Sequence, residues 1–112
     1  MKQLNNTNGS VFAVRQQLQQ QSMELATRLQ RSVSRAASVD HLPCEEYGAE
    51  VAQQHTLAEE LLFIQHSRSA LERAVAHGSS RLLWRWQDGS RSEVHFRREN
   101  NHISMRVRQK SA

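Results

Sequence analysis

From Ser10 onward, apolar residues recur at steps of three and four: Val11, Val14, Leu18, Leu25, Leu29, Val33 and Ala36, with one gap at Ser22. That spacing predicts an amphipathic helix over about residues 10–38. Its stripe is narrow and flanked by polar residues, as in a coiled-coil seam. The run "RQQLQQQ" reads as an uncharged helix face rather than a prion-like tract. A second seam, Leu57, Leu61, Ile64, Leu71 and Val75, is broadened by Leu62 and Phe63, with Arg68 in its one polar place. It predicts a helix over about residues 43–77, with Pro43 in the first turn, Glu45 and Glu46 at the positive dipole end, and Gly78 as the stop. "TLAE" at residues 56–59 has capping-box spacing, so a break near 54–56 is an alternative start. Two such helices joined by a short loop predict an antiparallel hairpin with facing seams.

After Gly78 the period changes to two. Leu82, Trp84 and Trp86 share one face of a strand at about 81–87. Val94 and Phe96 do so at about 91–98, and Ile103, Met105 and Val107 at about 102–109. A two-residue Asn100–Asn101 turn pairs Phe96 with Met105 and Val94 with Val107, which keeps the apolar sides together. Asp88–Gly89 as a two-residue turn mixes the faces. A three-residue loop Asp88–Gly89–Ser90 restores them, pairing Trp84 with Val94, Leu82 with Phe96 and Arg85 with Glu93, and bringing Arg81 opposite Arg97. The predicted fold class is therefore α+β: a two-helix hairpin packed on a C-terminal three-stranded antiparallel meander. Residues 10–112 form one domain behind a mobile lead-in at 1–9, rich in Asn, Gly and Ser. Three strands alone are marginally stable, so the hairpin must cover their apolar face.

Charge sharpens this picture. The 112 residues carry a formal net charge of +4, in three blocks. Residues 1–40 are basic; residues 41–77 are acidic through Glu45, Glu46, Glu50, Glu59, Glu60 and Glu72; residues 78–112 are basic again. The blocks coincide with the first helix, the second helix and the sheet. The single Cys44 excludes an internal disulfide framework and suits a reducing, cytoplasmic setting, and the start "MKQLNNTNGS" lacks the apolar core of a secretory signal. No run of about 20 apolar residues is present to span a bilayer.

The outward face of the meander gathers Arg81, Arg85, Arg91, His95, Arg97, Arg106 and Arg108 around Glu93. Both tryptophans lie on the other face, so this one has no aromatic on which to stack bases. "HLPC" puts His41 near Cys44, but zinc sites need three or four converging ligands, and no glycine-rich phosphate loop exists. No metal or cofactor is expected. The pattern points to a small non-enzymatic interaction module (an adaptor, a chaperone-like accessory factor or a regulator), with a protein partner or a homodimer as the expected assembly. Leu61, Ile64, Arg68 and Leu71 are the expected helical contacts, and Arg85, Arg97, Arg106 and Arg108 the charged ones. The alternatives are a nucleic-acid-binding protein using the basic face and a small ribonuclease with His95 as acid or base.

Overall fold

The computed structural model describes residues 4–38 and 44–111. The elements run β1 (Thr7–Ser10), α1 (Val11–Ser38), α2 (Cys44–His77), β2 (Ser79–Arg85), β3 (Arg91–Glu99) and β4 (His102–Lys110). The helices pack on each other, and β2, β3 and β4 form the expected antiparallel meander, so the fold is α+β. The sheet has one more strand than expected, in the order β1-β4-β3-β2.

Strand β1 lies in the stretch expected to be a mobile lead-in. Four polar and small residues offer no alternation to read, and pairing is set by β4 instead: Thr7 opposes Met105 and Gly9 opposes Ile103. Leu4 is buried in the core ahead of the strand. The Asn6 side chain accepts the Val107 amide at 2.7 Å, and Asn8 Oδ1 meets His102 Nε2 at 2.9 Å. Ser10 then caps α1, its hydroxyl oxygen accepting the Ala13 amide at 3.1 Å.

Helix α2 runs unbroken from Cys44 to His77. The Thr56 hydroxyl donates to the Ala52 carbonyl one turn earlier instead of capping a new helix. His41 and Pro43 lie outside the described residues. In α1, Ser32 rather than Val33 faces inward, and Val33 is 44% exposed. Two successive steps of four from Leu25 rotate a position by about 80°, whereas Ser32, three residues after Leu29, returns to the seam. In α2 the inward polar place belongs to Ser67, not Arg68. This helix buries two stripes: Leu57, Ile64 and Leu71 form one, and Phe63, Ser67, Ala70 and Ala74 form the other, at helical spacing. A reading confined to a helix–helix seam therefore centres α2 too far from the sheet. Buried Ser67 donates to the Phe63 carbonyl at 2.8 Å, so its hydroxyl is satisfied.

The β3–β4 register is the expected one, with Phe96 opposite Met105, Val94 opposite Val107, and Asn100 at φ 56° in the turn. Between β2 and β3 the loop has the expected odd length but begins one residue earlier. The Trp86 amide donates to the Ser90 carbonyl, and the Gly89 amide to the Trp86 carbonyl. Gln87–Asp88–Gly89 is thus a type I turn followed by a bulge residue that must take positive φ, and Gly89 has φ 88°. The whole pairing moves by two: Leu82 opposes Val94, Trp84 opposes Ser92, and Arg81 opposes His95 instead of Arg97. Because the slip is even, no side chain changes face.

The inner face is closed by Phe63, whose ring centroid lies 5.0 Å from that of Trp86 and 5.7 Å from that of Trp84. Trp86 Nε1 donates to the buried Ser92 hydroxyl at 2.7 Å, which satisfies both groups. Truncating Phe63 to alanine removes the wedge between helix and sheet. Urea denaturation should show a loss of about 3–5 kcal/mol, against under about 0.5 kcal/mol for Leu62→Ala on the exposed side.

The hairpin is also tied by Arg15, which donates through Nε and Nη2 to the two Glu72 carboxylate oxygens at 2.8 and 2.7 Å. The bidentate bonds from Arg15 hold the Glu72 carboxyl below its usual range and raise the guanidinium. Because the folded state favours the ionised carboxylate, its contribution is complete above the ordinary value of 4.5 and disappears as pH falls through the lower folded value. Both side chains are about half exposed, so solvent screens the pair. Glu72→Gln should cost under about 1 kcal/mol at neutral pH, and parent and variant should converge in stability once the pH has fallen through the lowered folded value of the Glu72 carboxyl.

Candidate interaction face

With α1 and α2 on one side of the sheet, its other side faces solvent, and the register arranges that side in cross-strand rows. Arg85, Arg91 and Lys110 stand in one row; Leu83, Glu93 and Arg108 in the next. Arg81, His95 and Arg106 follow, and then Ser79, Arg97 and Ser104. The expected contact residues Arg85, Arg97, Arg106 and Arg108 are therefore all exposed on a single surface. Alternation places them there, because successive strand residues point to opposite faces, and Leu82 and Trp84 of β2, Val94 and Phe96 of β3, and Ile103 and Met105 of β4 are held inside.

Two ion pairs cross this surface. Arg81 Nε donates to Glu93 at 3.0 Å, and Arg97 lies 3.8 Å from Glu99 near the turn. The bond from Arg81 holds the Glu93 carboxyl below its usual range, helped by the charges of Arg108 and Lys110. Among the described residues, Arg85, Arg91 and Arg106 have no carboxylate within ion-pair distance. Arg85 and Arg91 are direct neighbours across the strands, an arrangement that opposes sheet formation unless solvent or a counter-charge absorbs it. Leu83 stands in the middle of these cations, 71% exposed. It shares a shallow depression with Arg85, Arg91, Arg108 and Lys110.

The helical set divides differently. Ile64 and Leu71 are buried in the chain's own core, and Leu61 is packed against it, so these positions belong to the intramolecular seam. Arg68 is exposed beside Gln65, Ser69 and Glu72. The sequence reading missed the exposed apolar residues of α1, Phe12 and Met23, which stand eleven residues apart and so share one side of the helix. The glutamines between them hid that line.

Three acids of α2 meet partners within the chain. Glu50 accepts the Ser32 hydroxyl and lies 3.6 Å from Arg35, Glu72 holds Arg15, and Glu59 accepts the Gln87 amide at 2.7 Å. No cluster of His, Cys, Asp and Glu with metal-holding geometry occurs among the described residues, which do not include His41. No helix among them is long and apolar enough to cross a membrane. Comparison with known proteins finds no matching family model, no matching curated protein and no matching solved structure.

The split between buried seam and exposed cations is measurable by substitution. Ile64→Ala should destabilise the fold by about 2–5 kcal/mol in chemical denaturation, while Arg68→Ala should shift it by no more than about 0.5 kcal/mol.

Proposed function

We propose that this chain is a non-enzymatic protein-interaction module, an adaptor or chaperone-like accessory factor, which docks an acidic protein partner on the outer face of its sheet. The observation that carries this reading is the row Arg85–Arg91–Lys110, with Arg108 in the next row and the unpaired Arg106 in the one after it, a concentration of like charge that an anionic partner would relieve. Exposed Leu83 supplies an apolar point among the cations, which suits a protein that alternates acidic and apolar side chains. Glu50, Glu59 and Glu72 of α2 are already engaged within the chain, so these acids of a second copy are a poorer source of counter-charge. A cytoplasmic setting goes with this reading, since the lone Cys44 asks for no oxidising compartment.

Nucleic acid is the second reading, favoured by the same cations and weakened by the inward orientation of Trp84 and Trp86. A ribonuclease is the third, because Arg81, Glu93, His95 and Arg106 line one depression. The Arg81 bond counts against it: a carboxyl held below its usual range is a weak general base.

Fluorescence titration with a labelled peptide rich in Glu and Leu, and with labelled RNA and DNA, at two salt concentrations separates these readings. The peptide should bind in preference to either nucleic acid. Arg97→Glu combined with Arg106→Glu should weaken it about tenfold or more, and Glu93→Gln should strengthen it. Tighter, steeply salt-dependent binding of RNA or DNA would replace the proposal with the second reading. Growth arrest on expression that is lost with His95→Ala would replace it with the third.

A further inference from the structure

Sheet edges expose hydrogen-bonding groups that the rest of the fold satisfies, and the two edges of this sheet are treated differently. At the β4 side, β1 pairs as far as Met105, and the Asn6 side chain takes the next outward amide, that of Val107. At the other side β2 has no neighbour beyond it among the described residues. Its free groups follow from the ladder. The Trp86 amide bonds the Ser90 carbonyl, and the Arg98 amide bonds the Gly78 carbonyl, so even-numbered residues of β2 face β3. The amides and carbonyls of Arg81, Leu83 and Arg85 therefore point away from the sheet.

We propose that this edge accepts an extended acidic segment of a partner protein as a fifth strand. The inference rests on the acidic-partner reading above and gives it a binding mode. On the outer face, residues of an added strand opposite Arg81 and Arg85 meet guanidinium groups, and the residue between them meets Leu83. On the inner face, the added strand lies beneath the side of α2 that carries Leu62, His66 and Arg73, spaced at helical intervals. The His66 ring is 5.3 Å from that of Trp84, which shows that this side of α2 overhangs β2. Leu62 is half exposed there and offers the inward residues of the added strand an apolar contact. The preferred segment thus reads acidic–apolar–apolar–apolar–acidic.

Charge also decides against the chain itself as occupant. Two β2 strands paired antiparallel about Leu83 would set Arg81 of one copy against Arg85 of the other, and that repulsion resists self-pairing while leaving the edge open to acids. Strand addition then combines backbone bonds for affinity with alternate side chains for selectivity.

The test uses the full chain and a fluorescein-labelled peptide, Glu–Val–Leu–Val–Glu in Gly/Ser flanks, read by anisotropy and amide hydrogen exchange. Binding should slow exchange at Arg81, Leu83 and Arg85. N-methylation of the peptide's central Leu should weaken binding about tenfold, the loss of one or two hydrogen bonds. Leu83→Pro should do the same. Its missing amide lies outside the β2–β3 ladder, so its thermal midpoint should stay near that of the parent. Equal binding of the methylated and unmethylated peptides would overturn the edge mode. If that equal binding still fell with Arg97→Glu plus Arg106→Glu, docking on the face would survive; if no acidic peptide bound at all, both readings would fail. A dimer on a sizing column that is lost with Leu83→Pro would make a second copy the occupant and overturn the proposal.

Discussion

The seating of Phe63 between Trp84 and Trp86 is the contact on which the remaining geometry depends. It holds α2 against the inner side of β2, and with that side fixed, the strict alternation of the strands leaves no choice about the other. Rings at 5.0 and 5.7 Å with tilted planes combine large apolar burial with favourable quadrupole geometry. A meander without this cover would expose its aromatics and lack a core. The basic outer face is therefore a consequence of packing: Arg81, Arg85, Arg97, Arg106 and Arg108 are outward because an aromatic or aliphatic neighbour in the strand is inward.

Much of this was legible in the residues, for identifiable reasons. Val94, Phe96, Ile103 and Met105 alternate without interruption, so the β3–β4 register and the side of Arg91, Arg97, Arg106 and Arg108 could be read directly. Leu57, Ile64 and Leu71 marked α2 equally well. The misreadings have a common cause: each concerned a residue whose place depends on something distant in sequence. Thr7–Ser10 become a strand only because β4 offers an edge, Ser67 faces inward only because the sheet lies there, and Gly89 fixes the third loop position only once the bulge is recognised. Of the candidate contacts, the arginines of the sheet were correctly put on one surface. The helical leucines were not available, since a seam that binds a partner and a seam that binds the neighbouring helix carry the same spacing.

The three charge blocks acquire a physical meaning in the fold. Of the acids of α2, Glu72 and Glu50 are paired with Arg15 and Arg35 of α1, and Glu59 accepts the loop amide of Gln87. The sheet receives little of that compensation. Its internal acid, Glu93, is held by Arg81, and Glu99 stands near the turn beside Arg97. A chain of modest net charge thus presents a locally strong one, because its negative groups lie largely on α2 while the outer face of the sheet carries mostly cations. Long-range steering depends on such a patch more than on the total.

The hairpin and the sheet are also unequal in length. A helix of 34 residues reaches about 51 Å, whereas strands of 9 residues reach about 30 Å. The sheet ends near the Gln87 loop, level with Glu59, so the first part of α2 and the last part of α1 extend beyond it. There the packing changes character. Ser32, Glu50, Arg35 and Gln54 join through polar bonds where Leu18, Ile64 and Leu71 pack closer to the sheet. Polar contacts of this kind contribute less net stability than the apolar burial they replace, so the far end of the hairpin opens at lower free energy than the end over the sheet. Opening at that end leaves the Phe63–Trp84–Trp86 contact intact, and with it the face and the β2 edge. The surface that carries the charge is built on the end of the molecule where the apolar core lies.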